Sequence, residues 1–330
     1  MSDSLTYRLF RDSDLPGVLQ LWEESSGWGS ITAEVWREWY VDTPLGPSLV
    51  VVAEDEGGSI VGQEVLMPSV VCVGDQDVAA LRISAPILNK DIRHFSLRSI
   101  NHPITRLTER AMELAVTRGY GLVYVLPMHA WLSWFQWAGT RIDALQFAEA
   151  DYACLSAPIA QVSPGVTDGA KHLIARPVTD FGVEYAQLWA TARDSFPITC
   201  GVVRSPDWLR YKNGGRLALE IRERRDGSLV GYTAIKQQTA LLVDILARHP
   251  TDLPSVLAAT LTWLAARRDD LATGSLDSLK AMETPVLRPA LRALGFTPID
   301  YKFAFVCRAL DPSLSREAIA PERWYLTPEV

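Results

Sequence analysis

The stretch SLVVVAEDEGGSIVGQEVLMP, residues 48–68, decides the fold because its layout returns as LALEIRERRDGSLVGYTAIKQ, residues 217–237. Each reads as two strand-like runs around a glycine-containing turn. Each carries Gly-Ser-aliphatic-Val-Gly, at 58–62 and again at 227–231. Internal similarity of this kind marks a duplicated structural unit.

The similarity extends outward from both hairpins. Upstream, residues 7–11 and 172–176 read as short strands. The amphipathic segments DLPGVLQLWEES (14–25) and FGVEYAQLWATAR (181–193) follow, and both contain Gln-Leu-Trp. Val18, Leu19 and Trp22 in the first match Tyr185, Ala186 and Trp189 in the second. Next come the helices TAEVWREWYVDTPLG (32–46) and RSPDWLRYKNGG (204–215), closed by Pro44 and Gly46 and by Gly214 and Gly215. Downstream of the hairpins, Val78–Leu88 and Ala240–Leu246 read as strands. After them come longer helices from Ile104 and Leu253, strands in GLVYVLP and SLDSLKA, and helices ending at Gly139 and Gly295. The order in both halves is strand, helix, helix, three strands, helix, strand, helix. A Pro-, Gly-, Ser- and Ala-rich stretch, 156–171, reads as the connection, which puts the domains at 1–160 and 161–330. The tail is expected to pack as an extended segment through Trp324 and Tyr325.

Composition bounds what such a chain can be. With 330 residues, 48% hydrophobic and 22% charged, it can build two packed cores. A net charge of −7 leaves no cationic excess for a general grip on nucleic acid. The start MSDSLTYRLFRDSD has no basic-then-apolar leader and no apolar run reaches membrane-spanning length, so a cytoplasmic location with no membrane partner is expected. Cys72, Cys154, Cys200 and Cys307 are scattered without CxxC spacing, which suggests buried thiols, neither a disulfide framework nor a metal site.

This order of elements resembles the GNAT superfamily of acyl-CoA-dependent acyltransferases, over both halves of the chain. The first half is similar to members with a Trp-rich second helix, an NPxG-like stop (Asp42 to Gly46) and a hairpin of the type Val52-Ala53-Glu54 to Gly62; the second ends on Leu294-Gly295-Phe296. The resemblance implies an α/β fold of two tandem GNAT-like domains, each a mixed, mostly antiparallel sheet flanked by helices. It implies acetyl-CoA or another acyl-CoA as co-substrate, no metal, and a small-molecule amine or amino sugar as acceptor.

The family seats the CoA diphosphate on a loop of type RxxGxG/A, where small residues expose peptide N–H groups at a helix N-terminus. The matching positions are Arg98, Ser99, Ile100, Asn101, His102 and Pro103, leading into Ile104. The arginine is present, both glycines are replaced, and Pro103 lacks an N–H. Arg98, His102 and Arg106 are the charges that would compensate. In the second half the loop is Arg248-His249-Pro250-Thr251-Asp252-Leu253, with no glycine and an acidic side chain, so that copy is not expected to bind CoA.

Acyl transfer to an amine needs a base for the ammonium proton and often an acid for the thiolate. The family's frequent tyrosine acid falls on Phe135 and Leu291. Candidate bases are Glu64, beside the fourth strand, and His129, just after the fifth, with Asp91 and His94 on the loop between. Glu64 reads equally well as the polar member of an alternating strand, and Asp91 and His94 as surface residues. Asp244, inside the apolar run LLVDILA, needs a partner or a cavity; it could help bind an acceptor or simply bond to a neighbouring element. Trp131, Trp134, Phe135 and Trp137 suit either core or an acceptor pocket.

Three functions fit these observations. One is an N-acyltransferase, one a non-catalytic binding or scaffold protein on the same fold, and one an aminoacyl-tRNA-dependent transferase, which the acidic balance disfavours.

Overall fold

The computed structural model describes residues 5–93, 97–159, 170–267 and 277–328. The chain divides into two compact units, Met1–Glu149 with Phe305–Pro321, and Ala150–Ala304 with Glu322–Val330. The sequence reading divided the chain once, at 160. The units instead trade their last strands, and residues 160–169 of the proposed connection lie outside the described residues.

In the first unit β1 (Thr6–Leu9), β2 (Leu49–Glu54), β3 (Ile60–Val73) and β4 (Gln76–Leu88) pair antiparallel in chain order. Strand β5 (Leu122–Val125) then joins β4 in parallel. The sixth place is taken by Val306–Ala309, the end of β13 (Thr297–Ala309), antiparallel to β5. Helices α1 (Leu15–Ser25) and α2 (Ala33–Tyr40) precede β2, α3 (Pro103–Thr117) links β4 to β5, and α4 (Leu132–Gly139) follows β5.

The second unit repeats this order. Strands β7 (Leu173–Pro177), β9 (Leu217–Glu223), β10 (Leu229–Lys236) and β11 (Leu241–Ala247) pair antiparallel, β12 (Ser278–Met282) joins β11 in parallel, and β6 (Ala148–Pro158) pairs antiparallel with β12. Its helices are α5 (Val183–Ser195), α6 (Pro206–Asn213), α7 (Leu253–Ala266) and α8 (Arg288–Ala293). Two short strands, β8 (Cys200–Val202) and β14 (Trp324–Tyr325), pair in parallel, so the tail is anchored through the two aromatics the sequence singled out. The last strands β6 and β13 and the short β8 were missing from the sequence reading.

The repeated glycines have physical reasons. Gly58 (φ 83°) and Gly227 (φ 75°) turn the two hairpins through left-handed backbone. Gly62 and Gly231 instead lie beneath helices. A Cβ on Gly62 would stand 2.8 Å from Leu88 Cδ2 and 3.1 Å from Leu107 Cδ1, and one on Gly231 would stand 2.5 Å from the Leu246 carbonyl oxygen. Thr32 and Ser205 cap the matched helices α2 and α6, each hydroxyl accepting from the N–H three residues on. Apolar residues of α1 and α2, including Val18, Trp22, Trp36 and Tyr40, pack on Val50, Val52, Val65 and Ile87 of the sheet to form the first core. All four cysteines are buried and none is in a disulfide among the described residues.

Candidate functional site

The site is created by two strands that part. Strands β4 and β5 pair over Ala80–Leu122, Leu81–Val123 and Arg82–Tyr124. Beyond that point β4 carries an extra residue against β3: Gln63 faces Ile87 whereas Val65 faces Ser84. Ala85 within this bulge has φ 45°, left-handed backbone that a non-glycine residue adopts only where its surroundings impose it. The gap holds a cavity of about 640 Å³, lined by both strands, by α3 and by α4, and reaching Ser26 and Trp28 beyond the sheet.

Glu64 is the only carboxylate lining that cavity among the described residues. It is 2% exposed; Oε1 accepts a hydrogen bond from Thr108 Oγ1 at 3.1 Å, and Oε2 is buried with no partner. Burial pushes its pKa up to about 8, the Thr108 bond acting in the opposite direction. A carboxyl group poised there can hold or release a proton near neutral pH, which is what a general base for an ammonium group requires.

His102 lines the same cavity from the start of α3. Its Nδ1 accepts from the Ile104 N–H at 3.2 Å, so the neutral ring carries its proton on Nε2, and that nitrogen is buried without a partner. Burial lowers the pKa of this imidazole, which favours the neutral form. His102 is thus a helix cap whose residue also lines the cavity and whose second ring nitrogen has no partner.

The loop of the expected CoA diphosphate is organised differently from the resemblance. Asn101 N–H bonds Ser99 Oγ at 3.2 Å, His102 N–H bonds the Ser99 carbonyl at 3.0 Å, and the Ile104 N–H is held by His102. Pro103 opens α3 and has no N–H to offer. Arg98 and Ile100 are exposed, and Arg106 pairs with Glu109. As folded, the loop turns these peptide donors inward and does not fit a diphosphate; Arg98 is the charge that remains for it.

The other sequence candidates are dispersed. His129 is exposed in the turn before α4 and does not line the cavity, although its neighbour Met128 does. Asp91 is exposed in the turn Lys90–Ile92, and His94 lies outside the described residues. Asp244 belongs to the second unit and is saturated. It receives Arg204 at 2.9 Å, Thr327 Oγ1 at 2.9 Å, the Ile245 N–H at 2.9 Å and the Tyr232 hydroxyl. Arg204 is itself fully buried, stacked over the Trp189 and Tyr325 rings at 5.2 and 5.0 Å. This is a structural ion pair, and no oxygen of Asp244 is left for an acceptor. In α4, Trp134 and Phe135 are buried core that also walls the cavity, as Trp131 does.

Sequence reasoning missed Arg82 and Trp28. Arg82 is half-buried at the fork of β4 and β5, and its Nε is buried with no partner. Trp28, 60% exposed, is shared by the large cavity and an adjoining one of about 490 Å³ under α1 and α2. The signal for Arg82 was present: a charged residue inside the apolar run VAALRISAPIL, the same anomaly that drew attention to Asp244.

No protein-family model and no curated protein matches the sequence. Solved structures do. A GCN5-related N-acetyltransferase from Anabaena variabilis ATCC 29413 superimposes with a TM-score of 0.64 at 12% identity, over 93% of this chain and 73% of that one. One from Kribbella flavida gives 0.61 at 12% identity, over 94% and 72%. A tandem GNAT protein from the clavulanic acid biosynthesis pathway gives 0.55 at 16% identity and covers 94% of this chain and all, 100%, of its own. Among the described residues no group of three metal-ligating side chains converges, and no helix is long and apolar enough to cross a membrane. With two units of the same strand and helix order, each with a parallel fourth and fifth strand, the chain is a tandem GNAT-fold protein.

Proposed function

We propose that the first unit catalyses transfer of an acyl group from an acyl-CoA thioester, with acetyl-CoA the expected donor, to the amine of a small molecule or amino sugar. The observation that carries this reading is Glu64, a buried carboxyl with one unpartnered oxygen at a cavity formed where β4 and β5 separate. In its ionised form Glu64 takes the proton from the acceptor ammonium. The His102 Nε2–H is a donor available to an oxygen that gains negative charge. Phe135 stands at the family's tyrosine position, so the departing thiolate takes its proton from solvent or from a group on the substrate. The cavity's size and the acidic overall charge support a small-molecule partner over nucleic acid or a lipid surface. The cytoplasm remains the location we propose.

The inward-turned donors at Asn101, His102 and Ile104 favour a second reading, a binding protein that has lost turnover. Transfer assays with acetyl-CoA and with acetyl-pantetheine, which lacks the nucleotide, separate the two. On the enzyme reading acetyl-pantetheine serves nearly as well as acetyl-CoA, because little of the grip comes from the diphosphate. Absence of transfer from either donor across a panel of amines, with no heat on titration of millimolar acetyl-CoA, leaves the binding protein.

A further inference from the structure

The two cavities of the first unit adjoin, sharing Trp28, Ser84 and Ala85. The smaller one is aromatic. Trp22, Trp28, Trp39 and Tyr40 surround it, with Trp22 and Trp28 centroids 5.3 Å apart and Trp39 edge-on to Tyr40 at 6.2 Å. Trp28 and Trp39 are 60% and 44% exposed, an unusual outlay of indole surface for a soluble fold unless a ligand covers it.

The polar atoms left unpaired on this side include donors beside one amide oxygen, that of Gln63. Arg82 Nε and Trp22 Nε1 are both buried without a partner. Arg82 belongs to the α1–α2 side of the sheet: it lies opposite Met67, which packs on the α1–α2 core, and its charge reaches Tyr40. No carboxylate among the described residues pairs with it. Arg93, the second guanidinium on the cavity wall, is tied to the Ser25 and Leu88 carbonyls.

The second unit shows what is missing. Val65 faces Ser84 and Ala234 faces Asp244, each three residues after the glycine beneath the helix, so Ser84 holds the place that Asp244 holds in the repeat. There the chain supplies both a guanidinium, Arg204, and its carboxylate, Asp244, against Trp189, the match of Trp22. In the first unit it supplies a guanidinium and tryptophans but no carboxylate.

We infer that the acceptor held on the α1–α2 side of the first unit is an amine that also carries a carboxylate and an aromatic or bulky apolar group, an amino acid or close analogue. Arg82 receives the carboxylate through charge-assisted hydrogen bonds and the tryptophan-lined cavity receives the side group. This specifies the acceptor of the acyl-transfer reading and rests on it, while binding can be measured without any acyl donor.

The full chain is titrated calorimetrically with L-phenylalanine, with 2-phenylethylamine, which lacks the carboxylate, and with glucosamine. Phenylalanine is expected to bind at least about tenfold more tightly than phenylethylamine, with glucosamine weakest. Arg82→Gln should abolish that preference while leaving phenylethylamine binding unchanged. Trp28→Ala, at an exposed side chain that the core does not need, should weaken phenylalanine roughly two- to tenfold. Equal affinity for phenylalanine and phenylethylamine, a preference that survives in Arg82→Gln, tighter binding of glucosamine, or no binding of any of the three overturns the inference. Binding with the expected preference but no acetyl transfer to phenylalanine supports this assignment and counts against the enzyme reading alone.

Discussion

Glu64 and Thr233 occupy the same place in the two repeats, two residues after the glycine beneath the helix, and each meets a threonine of that helix. In the first unit Thr108 donates to Glu64 at 3.1 Å, leaving Oε2 without a partner. In the second, Thr233 and Thr260 bond to each other at 3.1 Å; both helix threonines also reach the carbonyl four residues back, Ile104 for Thr108 and Val256 for Thr260. Under α1 and α2 the contrast recurs, with a cavity beside Trp22 in one unit and the Arg204–Asp244 pair beside Trp189 in the other. At these two matched places the second unit pairs its threonines and its carboxylate internally. The first leaves Glu64 Oε2, His102 Nε2 and Arg82 Nε without partners in residues that line a cavity, a cost to stability that the proposed ligand site would offset.

The largest effect is expected where the second unit is most self-contained. Asp244→Ala should destabilise the protein by about 3–5 kcal/mol, because Arg204 is left buried and unpaired. Urea unfolding followed by circular dichroism measures it. A loss below about 1 kcal/mol would mean that the pair is not the closed plug described. Replacing both partners by apolar residues of similar size should restore much of the loss.

The two buried glycines sharpen the comparison at a smaller scale. Gly231→Ala meets the fixed Leu246 carbonyl at 2.5 Å and should cost about 1–3 kcal/mol, whereas Gly62→Ala meets movable leucine methyl groups and should cost less. Equal melting temperatures for the two variants would contradict this.

Glu64 also sets a pH dependence of stability. Its pKa rises from an ordinary 4.5 to about 8 on folding, so between these values the folded state holds a proton that the unfolded state has released. Stability therefore falls as pH rises through that window, with a slope approaching about 1.4 kcal/mol per pH unit, and levels off above it. Glu64→Gln removes the dependence: the variant should melt above the wild type at pH 8, with the difference shrinking towards pH 5. A variant less stable than the wild type at pH 8 breaks this account of the carboxyl.

Thr108→Val is expected to have the smallest effect. It removes the bond that favours the carboxylate, so the apparent pKa of Glu64 should move upward, by about one pH unit or less. Thr260→Val in the second unit should leave any pH–rate profile unmoved.

The repeat was legible because glycine reports backbone demands that no other residue meets: Gly58 and Gly227 turn, Gly62 and Gly231 let a helix approach. Helices α1 and α5 were legible from periodic apolar residues, and α2 and α6 from the stops at Pro44, Gly46, Gly214 and Gly215, whereas the caps Thr32 and Ser205 were not singled out. The exchange of β6 and β13 was not, since which sheet a strand joins depends on partners far away in sequence. Glu64 was legible as a charged residue in a strand beside the fork. The role of His102 was not, because nothing local says that its Nδ1 turns back to cap Ile104. Arg82 and Asp244 carry the same sequence signal, and only the surroundings separate an unpaired cation at a cavity from a plugged ion pair.

The central claim is that Glu64 removes the acceptor proton. It is tested most directly by the pH dependence of kcat/KM for acetyl transfer in the wild type and in Glu64→Gln. The wild-type rate should rise with pH to a plateau above about 8, once the contribution of the free amine is subtracted, and the variant should lie some 10²- to 10⁴-fold lower without that rise. A variant that keeps both the wild-type rate and the same titration would contradict the assignment.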